Sequence, residues 1–147
     1  MELRKGGGSM LAALVLVVLS VGGAAAGGPA REARTVVHGH GSYVDIEASA
    51  LAQMLVRKDF TLVNVHVPYE GDIAGTDVSV PFDRVAEHLD RLPRDRSAKL
   101  VLYCRTGRMS TIAARELVAR GYTNVWHLAG GMVAWARAGY PIVRADR

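Results

Sequence analysis

At 147 residues, half of them apolar, with a formal net charge of +4, the chain is sized for one domain plus a short appendage. Its charges alternate in sign (Asp90-Arg91, Arg94-Asp95-Arg96, Arg115-Glu116) without a basic stripe interleaved with aromatics, which argues against a nucleic-acid partner. A single cysteine excludes both an internal disulfide framework and thiol–disulfide exchange through Cys-x-x-Cys.

Met1 to Ala26 reads as a secretory signal: a basic start at Arg4 and Lys5, the apolar run Met10 to Leu19, then small residues up to Ala24-Ala25-Ala26. The apolar run is shorter than the roughly 20 residues a membrane-spanning helix needs. Export to the periplasm or the extracellular space is the expectation, with membrane attachment only if the signal stays uncleaved as an anchor. Residues 27–42, rich in Gly, Ala and charge, predict an extended, poorly ordered lead-in to a domain over 43–147. His38-Gly39-His40 lies in that lead-in, with no Cys or carboxylate cluster beside it to complete a metal site.

From Tyr43 onward short apolar runs alternate with amphipathic stretches. Tyr43-Val44-Asp45-Ile46 predicts a strand, and Glu47 to Arg57, with Leu51, Met54 and Leu55 at helical spacing, a helix. Leu62 to Val65 predicts a buried strand that Pro68 keeps from continuing, and Val78-Ser79-Val80 another, stopped by Pro81. Asp83 is placed to cap a helix running to Leu92, with Val85, His88, Leu89 and Leu92 on one face. Leu100 to Tyr103 predicts the central strand, and Thr111 to Arg120 a helix that Gly121 ends as its C′ residue. Asn124 to Leu128 adds a strand, and Met132 to Ala138 a last helix closed by Gly139 and Pro141. Strands alternating with helices imply an α/β fold: a mainly parallel sheet of about five strands with helices on both faces.

In such sheets ligands bind beyond the carboxyl ends of the strands, and Cys104 stands at one of those ends. The segment Cys104-Arg105-Thr106-Gly107-Arg108-Met109-Ser110 runs from the central strand into a helix, where unpaired N–H groups and the helix dipole favour an anion. Arg105 and Arg108 add two charges, and Gly107 tolerates the backbone conformation that an inward-facing ring of N–H groups requires. Those surroundings favour thiolate over thiol; the plain alternative for an unpaired cysteine is a small buried hydrophobe. Ser110 and Thr111 either cap the helix or hydrogen-bond the ligand, and the two arginines face either the pocket or solvent.

The Cys104-to-Ser110 loop resembles the active-site loop of single-domain rhodaneses, the thiosulfate sulfurtransferase family. The likeness takes in Leu62-Val63-Asn64-Val65-His66, Gly71-Asp72-Ile73-Ala74-Gly75, Gly121-Tyr122-Thr123-Asn124-Val125 and Leu128-Ala129-Gly130-Gly131-Met132-Val133-Ala134-Trp135, covering roughly Tyr43 to Val143. It implies a rhodanese-like fold in which Cys104 takes sulfur from a small anionic donor such as thiosulfate. The persulfide so formed passes its sulfur to cyanide, a thiol or a protein acceptor, with no metal or organic cofactor. Arg105, Thr106, Gly107, Arg108, Met109 and Ser110 would then form the substrate-binding loop. Two departures stand out. Rhodaneses commonly carry Asp-Val-Arg where this chain has Asn64-Val65-His66, and Gly-His-Ile-Pro-Gly where it has Gly71 to Gly75. His66 lies either at the pocket mouth or in a satisfied structural role, the plainer reading; His127, Trp126 and Trp135 read as structural.

Two other readings belong beside this one. The fold also carries dual-specificity phosphatases of the cell-cycle type and certain arsenate reductases, whose loop ends in a phosphate-clamping Arg; here that position is Ser110. A rhodanese-like module that binds a partner without turnover is the other. Inactive members usually lack the cysteine, so Cys104 favours activity.

Overall fold

The computed structural model describes residues 33–39 and 41–144. The expected signal, residues 1–26, and His40 lie outside them. Twelve elements follow in order: β1 (Ala33–His38), β2 (Gly41–Ile46), α1 (Ala48–Val56), β3 (Thr61–Asn64), β4 (Asp72–Ile73), β5 (Val78–Ser79), a 3-10 helix (Val85–Arg91), β6 (Leu100–Tyr103), α2 (Arg108–Ala119), β7 (Val125–Leu128), α3 (Gly131–Arg137) and β8 (Ile142–Val143). No helix among the described residues is long and apolar enough to cross a membrane.

The main sheet runs β1-β2-β7-β6-β3-β5. Five of its strands, β2 to β5 in that order, are mutually parallel, and only β1 pairs antiparallel. The α/β fold with a mainly parallel sheet is thus as the sequence implies. β6 occupies the interior because all four of its residues are apolar and fully buried, as a parallel strand covered on both sides must be.

Successive side chains of a strand point to opposite faces, and here they sort into two cores. Leu100, Leu102 and Cys104 join Val63, Val65 and Val125 beneath Ala113, Ala114 and Leu117 of α2 and Val85 of the 3-10 helix. Val101 and Tyr103 join Leu62 and Leu128 beneath Leu51 of α1 and Met132 and Trp135 of α3. Cys104 therefore emerges on the α2 side of the sheet. That alternation fixes which helix it meets.

Three local expectations change. Part of the lead-in expected to be loose, Ala33–His38, is a strand: it folds back on β2, Val36 reaches the core, and Arg34 donates to Asp45 Oδ2 at 3.1 Å. Asp83 caps nothing: Arg84 holds the N-cap of a 3-10 segment, broken at His88, whose tighter bonds run Glu87 N–H to Arg84 and Leu92 N–H to Leu89. Finally, β4 and β8 make a separate two-stranded antiparallel ribbon, invisible in the sequence because two residues carry no period. Gly121, with φ +88°, ends α2 as expected.

Candidate active site

Cys104 leaves β6 almost wholly buried, at 1% exposure, and its thiol is free. The chain turns over Arg105, Thr106 and Gly107, and α2 begins at Arg108, so the last three residues of the expected loop form the first turn of a helix. Gly107 holds the N-cap with φ +96°, where an added Cβ would sit 3.2 Å from both Gly130 N and His127 Cε1. No side chain of the usual kind caps this helix. Instead Gly107 N–H points at Cys104 Sγ, 3.1 Å away, and Ser110 Oγ lies 3.5 Å from the same sulfur. The sulfur occupies the place of a capping acceptor, where negative charge is favoured by both the N–H group and the helix dipole.

The loop is held from behind by α3. Met132 N–H donates to the Cys104 carbonyl at 2.9 Å and Val133 N–H to the Arg105 carbonyl at 3.0 Å. C=O and N–H of a trans peptide point in opposite directions. Fixing those two carbonyls against α3 therefore turns the N–H groups of Arg105 and Thr106 away from it, toward the side where Sγ stands. Gly131 makes the approach possible: with φ +55°, its missing Cβ would lie 2.3 Å from the Cys104 carbonyl oxygen. The Gly-Gly turn before α3 is thus part of the site.

Arg105, Thr106 and Arg108 are exposed, Met109 is half-buried, and Ser110 is fully buried. Arg105 Nε pairs with Glu70 Oε2 at 3.0 Å, while Glu70 Oε1 lies 3.4 Å from His66 Nε2. The His66 side chain is buried, with neither ring nitrogen in a hydrogen bond, so it is not the satisfied structural histidine the sequence suggests. Ser110 Oγ contacts three groups: Sγ, the Gly107 carbonyl at 3.2 Å, and His127 Nδ1 at 2.9 Å. Thr111 Oγ1 lies 3.3 Å from the other ring nitrogen, so its hydroxyl meets His127. Burial pushes the His127 pKa below the ordinary histidine value, with the Asp45 charge pulling partly back. Sequence reading missed this histidine's contact with the loop, because a lone His on a strand carries no signal until the register is known. Among the described residues, no three His, Cys, Asp or Glu side chains converge on a possible metal position.

Beneath the loop, the family departures at Asn64 and Asp72 prove to touch each other. Asn64 Nδ2 donates to Asp72 Oδ1 at 2.8 Å and to the Gly71 carbonyl at 2.9 Å, and Asn64 Oδ1 accepts from His66 N–H at 3.0 Å. Asp72 also accepts from the hydroxyls of Tyr69 and Tyr103. Burial is the main force raising the Tyr103 pKa well above the usual phenol range, with the Asp72 charge adding to it, so the phenol stays a donor. The carboxylate that rhodaneses commonly place at the end of β3 thus sits across the bond, at 72, and the amide takes its former seat.

That exchange predicts a paired result. Asn64→Asp removes both donated bonds and sets two buried carboxylates face to face, which should cost about 2–4 kcal/mol in urea unfolding. Asn64→Asp combined with Asp72→Asn restores one amide and one carboxylate, and should recover more than half of that loss. Additive losses in the double variant would show that the two positions are uncoupled.

Comparison with known proteins agrees with this architecture. The Rhodanese-like domain model matches residues 47–138, well over half of the chain. A sulfurtransferase of Allochromatium vinosum is 36% identical over 106 residues, covering 69% of this chain and 96% of that protein. The probable adenylyltransferase/sulfurtransferase MoeZ of Mycobacterium tuberculosis is 38% identical over 88 residues, 57% of this chain but only 22% of that longer protein. Among solved structures, a rhodanese-related protein from Thermoplasma volcanium aligns with a TM-score of 0.59 at 30% identity, covering 69% of this chain and 98% of that one.

Proposed function

The chain belongs to the rhodanese-like family, and from that membership we propose that it is a sulfurtransferase carrying sulfane sulfur on Cys104. The observation that carries this reading is the sulfur held as an N-terminal cap of α2, with Gly107 N–H 3.1 Å away. In the first half-reaction the Cys104 thiolate attacks the outer sulfur of thiosulfate or a similar donor. The donor S–S bond breaks, sulfite leaves with its electron pair, and a persulfide anion forms on Cys104. In the second, a thiophilic acceptor such as cyanide or a thiol attacks the terminal sulfur and regenerates the thiolate. Gly107 N–H steadies the attacking thiolate, and the loop N–H groups turned away from α3 are the donors offered to the terminal anion. Arg108, on the solvent side, supplies positive charge that draws in a dianionic donor, while the charge of Arg105 is partly offset by its pair with Glu70.

Ser110 at the end of the loop separates this chemistry from phosphate ester hydrolysis. A phosphatase on this fold needs a bidentate cation to clamp the transferring phosphoryl group, and here that position is a buried hydroxyl committed to Sγ, a carbonyl and His127. The test is intact-mass spectrometry after incubation with thiosulfate, then cyanide. The expected result is a gain of about 32 Da on Cys104, discharged as thiocyanate, with negligible turnover of an aryl phosphate. Absence of any sulfur adduct with several sulfane donors would favour a binding module without turnover. Efficient aryl phosphate hydrolysis that depends on Cys104 would overturn sulfur transfer altogether.

A further inference from the structure

A row of side chains leads across the sheet to the sulfur. Strand register pairs Asp45 of β2 with His127 of β7, and His127 with Leu102 of β6, two residues before Cys104. With a period of two, positions 45, 127, 102 and 104 all face α2. From α2, Ser110 Oγ bridges the gap, 2.9 Å from His127 Nδ1 and 3.5 Å from Cys104 Sγ. On the far side of the ring, Nε2 lies 3.3 Å from Thr111 Oγ1 and 3.8 Å from Asp45 Oδ1. That carboxylate oxygen is buried and accepts no hydrogen bond, while Oδ2 is occupied by Arg34. A histidine that merely filled space would not require a bare carboxylate oxygen beside one ring nitrogen and a hydroxyl leading to the nucleophile at the other.

We propose that His127 is a positioning residue for the sulfur chemistry, a proton store that takes the Cys104 thiol proton through the Ser110 hydroxyl. The proposal deepens, and rests on, the assignment of Cys104 as the nucleophile. In the transfer, the Sγ–H bond breaks and Ser110 Oγ gains that proton while its own hydroxyl proton passes to His127 Nδ1. The electron pair left on sulfur makes the thiolate, and the ring becomes imidazolium. Nothing is oxidised or reduced. For Nδ1 to accept, the resting ring carries its proton on Nε2, facing Thr111 Oγ1 and Asp45. The Asp45 charge then offsets the imidazolium. After transfer the Ser110 hydroxyl donates to the sulfur alongside Gly107 N–H, and the proton returns when an acceptor releases the thiolate.

The groups facing the ring are few. Asp45 comes from β2, Ser110 and Thr111 from α2, and the Tyr43 ring lies edge-on at 6.1 Å between centroids. Across β6 its register neighbour is the uncharged Leu102. Arg34 acts on the ring through its pair with Asp45. Burial leaves the ring unprotonated before transfer and disfavours the imidazolium, while the Asp45 charge pulls the other way and supports the ring once the proton arrives.

The test is the rate of Cys104 alkylation by iodoacetamide as a function of pH, in the wild type, His127→Gln, Ser110→Ala and Asp45→Asn. Gln keeps a hydrogen-bonding group beside Ser110 but takes up no proton, so it preserves a structural role and removes the proposed one. At about pH 6, His127→Gln and Ser110→Ala should each react about tenfold or more slowly than wild type. At about pH 10, where hydroxide removes the thiol proton, each should come within about twofold. Asp45→Asn should give a smaller loss with the same pH dependence. A loss that is uniform across pH, a His127→Gln profile matching the wild type, or an effect confined to Ser110→Ala would overturn the relay. Should His127→Gln fail to fold, the Asp45→Asn profile decides: a wild-type or pH-independent one rejects the proposal. Alkylation requires no sulfur transfer, so a protein that forms no persulfide still reports on the relay, and the two claims fail separately.

Discussion

Replacing Cys104 with Ser is expected to lower kcat/KM for thiosulfate-dependent sulfur transfer by at least about 10³-fold and to abolish the sulfur adduct. The oxygen is a little smaller than the sulfur it replaces, and it accepts from Gly107 N–H as the sulfur does, so the cap survives. What is lost is the chemistry. A serine hydroxyl ionises far less readily than a thiol, and an oxygen–sulfur bond offers no stable resting place for a transferred sulfur atom. The fold should hold, with the thermal midpoint moving by only a few degrees, because one compact polar group replaces another in a site that already supplies donors. The measurement is thiocyanate formation, alongside a melting curve of the same preparation. More than about 1% residual activity in a folded variant would place the sulfur carrier elsewhere.

Gly131→Ala is expected to be the most damaging glycine-to-alanine change among the described residues. The new Cβ would fall 2.3 Å from the Cys104 carbonyl oxygen and 2.7 Å from the Arg105 carbonyl carbon and oxygen. Those are backbone atoms already bonded to Met132 and Val133 N–H, so they yield only by breaking the clamp. A cost of about 3 kcal/mol or more follows, from the clash together with the positive φ, seen as a fall of about 10 °C or more in the thermal midpoint. Gly139→Ala is the matched control: φ is +89°, yet nothing lies within 4 Å of its absent Cβ. It should cost about 1–2 kcal/mol, from backbone conformation alone. Protein that still folds as Gly131→Ala should also transfer sulfur poorly, since the displaced carbonyls carry the Arg105 and Thr106 N–H groups with them. If the two alanine variants melt together, the approach of α3 is not what sets the loop.

The strand–thiol–helix unit was legible because each part has a strong local cause. Leu100 to Tyr103 is a continuous apolar run, Gly107 marks the turn, and Ala113, Ala114 and Leu117 give α2 a buried stripe. β1 escaped notice although Thr35-Val36-Val37 is a β-branched run, because the surrounding Gly, Ala and charge dominate the composition. The Ser110–His127–Asp45 row depends on which residues of β2 and β7 stand opposite each other, and register is a tertiary fact. The Asn64–Asp72 exchange lies between. Each departure could be read from the sequence, but only contact shows that one compensates the other.

The clamp by α3 also bears on the order in which the protein comes to life on the ribosome. Cys104 and the helix that it caps are synthesised before Met132 and Val133, whose N–H groups hold the Cys104 and Arg105 carbonyls. A nascent chain that has emerged only through α2 therefore presents the thiol before the backbone that would cradle a transferred sulfur has been fixed. Its sheet is incomplete as well, because β7, which lies between β2 and β6, is still to be made. Under the proposed sulfur-carrier role, the thiol is therefore made well before the Gly130-Gly131 turn and α3 that complete its backbone surroundings.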